Sequence, residues 1–481
     1  MTASGTNSPA GGRASVSAAW ELLLPVASAP ARGRGRALQT ALREAVRSGR
    51  LAPGTRLPAS RELAADLGVS RGLVTEAYEQ LTAESYLRSG RGSGTWVSGS
   101  ARAAAGGARD LAPRARRVSV DFRPGTPDLS LFPRSAWAAA HRSALGRLPH
   151  GALGYPDPRG LPELRDALAA LLTRRRGVVA DPERLLVCSG VAQATTLLGF
   201  VLHGRGIRTV GVEDPGSPEH TALFASAGVA TAPVPLDEEG LALEPLARSG
   251  VRAVVTTPAH QFPTGVAYSA ARRSRLLEWA RQTGGLVVED DYDGDFRYDR
   301  APVGSLQGLD PERVAYTGSV SKSLAPGLRL GWLIAPASMT DELVDRKRTM
   351  DLGNPALDQA VLADFVSGGG YDRQLRRCQR AYRERRDVLT RALAEHVPGS
   401  EVSGVAAGLH AIARLPEGWG PEAEFAERAA GAGIAVRLLR EYGTARPAEG
   451  CVRLVLGYAH LAPADIVRGV RALAGLGRKP S

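Results

Sequence analysis

The chain has 481 residues, a hydrophobic content of 43% and a formal net charge of +12, so we expect a soluble protein of more than one domain. No run reaches the ~20 apolar residues of a membrane span, and no basic start followed by an apolar stretch marks an export signal, so we expect a cytoplasmic protein without membrane contact. Cys188, Cys378 and Cys451 have neither disulfide nor metal spacing, so we predict reduced thiols and no metal site.

The first 19 residues are rich in alanine, glycine and serine, a composition typical of disorder. A helix is predicted after them, because Leu38, Leu42 and Val46 share one helical face. Gly49 and Pro53, which favour turns, then end this helix.

Two further helices and a hairpin are predicted next. Ser60 is expected to cap the second helix, Gly68 to make a tight turn and Ser70 to cap the third. Tyr86-Leu87 and Thr95-Trp96-Val97 flank a Gly/Arg tip and predict a two-stranded wing. Helices joined by a glycine turn and followed by a hairpin are typical of a winged helix-turn-helix domain.

This pattern predicts that residues 20–98 bind double-stranded DNA. We expect Arg71 and Thr75, one turn apart at the start of the third helix, near base edges. Residues predicted near phosphates or the minor groove are Arg61, Ser70, Arg91 and Gly92. Residues 1–117 hold 17 arginines, no lysine and 8 acidic residues, so +9 of the net charge is concentrated here, as suits a polyanionic partner.

Residues 99–119, rich in alanine, glycine and arginine, predict a flexible basic linker. From 120 to 478, apolar strand-like segments alternate with helical ones, which predicts an α/β domain with a mostly parallel sheet and helices on both faces. Those segments are 184–188, 209–212, 253–256, 286–289, 314–317 and 330–334. An arginine-rich helix, 371–389, is expected to lead to a small C-terminal α+β subdomain, with its arginines on a solvated face.

Two junctions in this domain predict ligand contacts. In VCSGVAQATTLL, the backbone N–H groups of Gly190, Val191 and Ala192 would open a helix, and such a helix end binds anions. In GGLVVEDDYDGDF, a strand runs into acids around Tyr292, at the strand end where open α/β sheets place ligands. The alternatives for this acidic segment are a Ca²⁺ or Mg²⁺ site, for which EF-hand spacing is missing, and a solvated loop.

A third segment, SVSKSLAPGLRLGW, contains Lys322, one of only three lysines in the chain. An amine beside Ser319, Ser321 and Arg329 suits a cofactor with both an aldehyde and a phosphate, which indicates pyridoxal phosphate (PLP). Such a cofactor also needs a carboxylate at its ring nitrogen and favours a phenol near its ring hydroxyl, and the acidic segment offers both. The alternative is a solvated surface lysine.

Two resemblances follow from these motifs. The N-terminal pattern resembles the GntR family, and Asp121 to Leu473 resembles the fold-type I, class I/II aminotransferases through DFRPGTPDLSLFP, GYPDPRGLPELRDAL, TPAHQFPTG and the motifs above. The second resemblance implies that Lys322 forms the aldimine, Asp290 pairs with the pyridine nitrogen and Tyr292 contacts the ring hydroxyl. It implies a phosphate site made by Gly190, Val191, Ala192, Ser319, Ser321 and Arg329. Tyr155 resembles a tyrosine that reaches a phosphate across a dimer interface; the alternative is local packing in a turn.

The chain departs from the aminotransferase pattern at three positions. Phe262 stands where asparagine usually precedes Pro-Thr-Gly, and Ser217 stands where an aromatic residue stacks on the pyridine ring. Val455 occupies the place of the arginine that binds the substrate carboxylate. Arg453, two residues earlier and so on the same strand face, is the candidate to replace it. Cofactor binding is therefore expected to be better preserved than amino-acid turnover.

The fusion of the two patterns resembles the MocR subfamily of GntR-type regulators. That resemblance implies a head-to-tail homodimer and a transcription regulator that senses PLP, or an amine or amino acid forming an external aldimine, at Lys322. Two alternatives stay open: a working aminotransferase with a DNA-binding appendage, and a PLP-free scaffold that only dimerises the DNA-binding domains.

Overall fold

The structure is a computed structural model that describes residues 26, 29–90, 94–99, 118–298, 303–444 and 451–477. These residues fall into two compact units, which lie within 1–115 and 116–481. The predicted disordered start (1–19) and nearly all of the predicted linker (99–119) lie outside the described residues. No helix in the described ranges is long and apolar enough to cross a membrane.

The described residues of the first unit include three helices and a small sheet. The helices are α1 (Arg34–Arg47), α2 (Ser60–Leu67) and α3 (Arg71–Ala83), and the strands are β1 (Arg56–Leu57), β2 (Leu87–Gly90) and β3 (Gly94–Val97). Leu38, Leu42 and Val46 are buried on α1, as the periodicity predicts. The wing gains a strand that was not predicted, because β1 pairs antiparallel with β3 on the side opposite β2.

The helix-turn-helix has one capping residue as predicted and one that differs. Ser70 caps α3, since its Oγ accepts a hydrogen bond of 3.3 Å from the N–H of Leu73. Gly68 ends α2 in the left-handed conformation at φ +61°, which glycine adopts without strain. Ser60 is not a cap: α2 begins on it, and the cap position is Ala59, whose N–H donates to Glu62 Oε2.

The second unit is built around a sheet of eight strands among the described residues. Its strands are β5 (Leu185–Cys188), β6 (Thr209–Asp214), β7 (Ala230–Asp237), β8 (Gly240–Leu241), β9 (Ala253–Thr256), β10 (Leu286–Asp290), β11 (Val314–Ser319) and β12 (Gly331–Ile334). Their order across the sheet is β5-β12-β11-β10-β9-β6-β7-β8. The helices are α4 (Arg134–Arg147), α5 (Pro162–Arg176), α6 (Val191–Gly204), α7 (Pro218–Ser226), α8 (Leu243–Ser249), α9 (Ala270–Thr283), α10 (Ala337–Asp351) and α11 (Ala356–Ser367).

The central strands of this sheet are parallel, which confirms the predicted architecture. Strands β7, β6, β9, β10 and β11 pair parallel in that order. Strand β12 runs antiparallel to both of its neighbours, because a short connection joins it to β11 where a parallel strand needs a long crossover. The ends of β10 and β11 that lead to Asp290 and Ser319 therefore lie side by side.

A C-terminal α+β subdomain follows the 27-residue helix α12 (Gly370–His396). Its sheet has the order β13 (Glu401–Ser403), β14 (His410–Arg414), β17 (Arg453–Gly457) and β16 (Arg437–Leu438), and its helices are α13 (Glu422–Gly431) and α14 (Pro463–Leu476). Short strands β4 (Val120–Asp121) and β15 (Ile434–Ala435) pair parallel. The arginines of α12 are not all solvated, because the Arg385 side chain is only 13% exposed and pairs with Asp128.

Candidate functional site

Asp290 ends β10 at the centre of the sheet. Its Oδ2 lies 3.0 Å from Nε2 of His220, a buried residue of α7. Burial opposes the charged imidazole, but the hydrogen bond and negative charge of Asp290 raise the pKa of His220 above its usual value. The other oxygen, Oδ1, is buried and has no hydrogen-bond partner among the described residues. A buried acceptor of this kind suits a ligand N–H donor.

Lys322 lies on the segment that leaves β11, the strand next to β10. Its Nζ donates a hydrogen bond of 2.5 Å to the carbonyl oxygen of Gly125. Burial lowers the pKa of this amine, and nearby acids, Asp293 and Asp290 among them, oppose the shift. A larger fraction of the amine is therefore neutral, and hence nucleophilic, than in an exposed lysine.

A third group of residues forms a cradle at the start of α6. Gly190 precedes the helix at φ +84°, and a Cβ at this position would lie 2.9 Å from Arg329 Nη2. Nη2 donates to the carbonyl oxygen of Ser189. The cradle thus combines an exposed guanidinium with the free N–H groups of Val191 and Ala192 at a helix N-terminus, which is a favourable place for a phosphate.

Ser319 and Ser321 adjoin the catalytic candidate Lys322 directly. Ser319 ends β11, and its Oγ accepts a hydrogen bond of 3.3 Å from the N–H of Ser321. The structure thus places both serines in the turn that carries Lys322.

Tyr292 is held by residues that the sequence analysis did not identify. Its hydroxyl lies 2.9 Å from Nδ1 of His260, which lies 2.9 Å from Oδ2 of Asp293. Burial, followed by the charge of Asp293, raises the pKa of Tyr292 well above its usual value. Phe262, the first departure, packs its ring edge-on against Tyr292 with centroids 5.8 Å apart.

The other two departures have defined surroundings. Ser217 precedes α7 at the N-cap position but makes no capping hydrogen bond, because its Oγ donates to Glu219. Val455 is fully buried in an apolar cluster with Ile412, Leu439 and Tyr442. That cluster adjoins the site, since the Tyr442 ring is 5.2 Å from Phe262.

Arg453 and Tyr155 make no hydrogen bond or ion pair with Asp290 or Lys322 in the described residues. Arg453 begins β17, and its N–H donates to Glu422 of α13, while its Nε is buried with no hydrogen bond to the described residues. Tyr155 is 89% exposed on the surface of this unit.

Arg71 and Thr75, the residues predicted near base edges, line one groove of the first unit. Arg61 and Arg71 are exposed, and the Thr75 hydroxyl donates to the Arg71 carbonyl oxygen at 3.0 Å. Arg71 and Thr75 line an open groove that also includes Arg56 and Thr95, so α3 and the wing border the same groove. Ser70 uses its hydroxyl to cap α3. Arg91 and Gly92 lie outside the described residues.

The two units match two known families. The model for bacterial regulatory proteins of the gntR family matches residues 35–97, and the model for aminotransferase class I and II matches residues 125–473. The molecule is therefore a GntR-type helix-turn-helix domain fused to an aminotransferase-type domain.

Comparison with whole proteins identifies the subfamily. The chain is 34% identical to the probable rhizopine catabolism regulatory protein MocR of Rhizobium meliloti, over 91% of this chain and 92% of that protein. It is 33% identical to the HTH-type pyridoxine biosynthesis transcriptional regulator PdxR of Corynebacterium glutamicum, over 77% and 81%. The chain belongs to the MocR subfamily of GntR-type transcription regulators.

Solved structures confirm the fold of the second unit. An archaeal alanine:glyoxylate aminotransferase is similar with a TM-score of 0.67 and 28% identity, over 74% of this chain and 90% of that one. The α-aminoadipate aminotransferase LysN of Thermus thermophilus, solved with N-(5'-phosphopyridoxyl)-L-leucine, has a TM-score of 0.65 and 29% identity, over 74% and 91%.

His220 and His260 were not predicted from the sequence. The signal for His220 was its place three residues after Ser217, the position where the aminotransferase pattern has an aromatic residue against the pyridine ring. The segment TPAHQFPTG contains His260, but its contact with Tyr292 joins separate loops and has no local sequence signal.

Proposed function

We propose that this regulator binds PLP at Lys322 and couples that binding to its affinity for double-stranded operator DNA. The observation that carries the proposal is Asp290. One of its oxygens is hydrogen-bonded to His220, and the other is buried with no donor among the described residues, beside the strand that leads to Lys322. This is the environment that a protonated pyridine nitrogen requires, so the residues present fit the cofactor.

Each part of the site then has a role. Asp290 would hold the pyridine nitrogen, Tyr292 would contact the ring hydroxyl, and Lys322 would supply the amine. The phosphate would lie among Gly190, Val191, Ala192, Ser319, Ser321 and Arg329. When bound, PLP supplies an aldehyde that condenses with primary amines and absorbs in the near-visible range.

Contacts among the residues of the chain preorganise this site in the absence of ligand. The hydrogen bond with His220 orients the Asp290 carboxylate. Burial keeps part of the Lys322 amine neutral, which is the form that attacks an aldehyde. His260 fixes the direction of the Tyr292 hydroxyl, and Phe262 packs edge-on against the Tyr292 ring.

The signal that the site receives is proposed to be PLP itself or an amine that displaces Lys322. The replacement of the carboxylate-binding arginine by Val455, which is buried in an apolar cluster, supports this choice over an amino acid. We propose a head-to-tail homodimer in which Tyr155 reaches the phosphate site of the partner subunit. Its 89% exposure within one subunit agrees with such a role.

The central experiment measures the cofactor and the DNA together. Purified protein titrated with PLP should develop a near-visible absorption band, and borohydride reduction followed by peptide mass spectrometry should place a pyridoxyl group on Lys322. Lys322→Ala should give neither result. The DNA affinity of the wild type should differ with and without PLP by roughly 5–150-fold, the range of ~1–3 kcal/mol of coupling. Equal DNA affinity in both conditions would exclude the coupling, and a colourless protein would support the PLP-free scaffold.

Aminotransferase activity is the second candidate, favoured by the lowered pKa of Lys322. Transfer of an amino group to a 2-oxo acid at ordinary enzymatic rates would support it. The apolar surroundings of Val455 and the missing aromatic ring at Ser217 argue for little or no turnover.

A further inference from the structure

Lys347 is one of three lysines in a chain that otherwise uses arginine, and its side chain is completely buried. It lies on α10, away from the predicted aldehyde-binding lysine. Its Nζ donates to Asp351 Oδ2 and to Asn354 Oδ1, each at 2.7 Å. Burying a cation is costly unless it is paired and hydrogen-bonded. The presence of a buried ammonium with two acceptors therefore indicates a specific structural role for Lys347.

The two partners of Lys347 lead to the phosphate cradle by separate routes. Asn354 Nδ2 donates to the Ser189 hydroxyl at 2.8 Å. Asp351 Oδ2 also accepts from Gln193 Nε2 at 2.6 Å, and Gln193 Oε1 accepts from the Ser189 N–H at 2.7 Å. We call these five residues, Lys347, Asp351, Asn354, Gln193 and Ser189, the Lys347 network.

Ser189 is the point at which the network reaches the cradle. Its hydroxyl and N–H are fixed by the network, and its carbonyl oxygen accepts from the Arg329 guanidinium. Ser189 directly precedes Gly190, which opens α6. The position of Ser189 therefore sets where both phosphate-binding elements, the helix start and the guanidinium, are held.

An arginine would not serve in place of Lys347. The arginine guanidinium is planar and holds five N–H donors in fixed directions, whereas the lysine ammonium is a single nitrogen that can donate to two acceptors on the same side. Asp351 and Asn354 lie four and seven residues after Lys347, on the end of α10 and in the turn behind it, and both converge on that one nitrogen. This geometry explains why lysine is kept here in an arginine-rich protein.

We propose that Lys347 is a positioning residue for the phosphate of the ligand, acting through Ser189 on the Gly190 turn and Arg329. The inference rests on the proposed function, because it concerns the same PLP site. It implies that the network contributes to recognition of the phosphate group and not to recognition of the pyridine ring or to the amine chemistry of Lys322.

The test compares PLP with pyridoxal, which lacks the phosphate, in spectral titrations of the full-length protein. Lys347→Met should weaken PLP binding by at least about tenfold and leave pyridoxal binding within about twofold of the wild type. Asn354→Ala keeps the Lys347–Asp351 pair but breaks the link to the Ser189 hydroxyl, so a smaller loss for PLP alone is expected. Thr349→Ala, an exposed change on the same helix, should affect neither ligand.

The outcomes separate this inference from the proposed function. Equal weakening of PLP and pyridoxal by Lys347→Met, or no change in either, would overturn the positioning role while PLP binding by the wild type stands. If Lys347→Met does not fold, Asn354→Ala provides the test: the loss of PLP affinity must exceed the loss of pyridoxal affinity. A wild type that binds neither ligand would overturn the proposed function and this inference with it.

Discussion

Gly190→Ala tests the cradle most directly, because one methyl group acts on both stability and phosphate binding. Gly190 has φ +84° and ψ 176°, a region that is essentially restricted to glycine, and a residue held there costs about 1–3 kcal/mol. The new Cβ would also lie 2.9 Å from Arg329 Nη2 and 3.2 Å from Nη1. Since a guanidinium at the end of a flexible side chain can move away, we expect Arg329 to be displaced.

The two effects have separate magnitudes. The backbone strain is present with and without ligand, so it lowers the free energy of unfolding and not the affinity. Displacing Arg329 removes a charge-assisted hydrogen bond to the phosphate, worth about 1.5–3 kcal/mol. That loss corresponds to roughly 10–150-fold weaker PLP binding.

The assay pairs a PLP titration, followed by absorbance, with thermal unfolding. Gly177→Ala is the matched control, because Gly177 also has a positive φ, +64°, and has nothing within 4 Å of an added Cβ. It should lose stability and keep its PLP affinity. If Gly190→Ala binds PLP within twofold of the wild type, Arg329 and the Gly190 turn do not bind the phosphate, and the assignment of the cradle is wrong.

Three further predictions concern other parts of the molecule. Ser70→Ala removes the 3.3 Å cap on Leu73 N–H and should lower the stability of the DNA-binding unit by about 1 kcal/mol in calorimetry; an unchanged transition would contradict the cap. Arg71→Ala should cost about 1–3 kcal/mol of operator binding and relax preference at one base position, whereas Arg61→Ala should weaken all sequences alike. Because burial lowers the pKa of Lys322 from its usual 10.5, the rate of PLP uptake should rise with pH and reach half of its maximum below pH 10.5. A stopped-flow midpoint at or above that pH would refute the shift.

The parts of the fold that depend on local patterns could be predicted from the sequence. Helical spacing located α1, and the turn at Gly68 and the cap at Ser70 located α3. Ser60 was misassigned as a cap because a polar residue can occupy either the cap or the first helical position, and only the backbone distinguishes them. The antiparallel direction of β12 depends on how its short connection folds back on β11, which alternation of apolar segments does not specify.

The candidate site also contains some residues that local sequence patterns predict and others that they do not. Asp290 and Lys322 could be placed together because they follow strands that an α/β sheet brings side by side. The support behind them could not be predicted. His220 reaches Asp290, and Lys347 reaches Ser189 through Asn354, by contacts between elements far apart in sequence. Such contacts depend on how helices pack on the sheet, which no local pattern determines.

The scarcity of lysine has a consequence for chemical selectivity. Guanidinium groups stay protonated at any physiological pH and so do not condense with aldehydes as amines do. Of the three side-chain amines in the chain, the one on α10 is sealed from solvent. A reactive aldehyde in excess therefore finds few surface amines, because the basic surface groups are almost all guanidinium groups. The protein can remain in contact with such a metabolite without accumulating unspecific adducts on its charged surface.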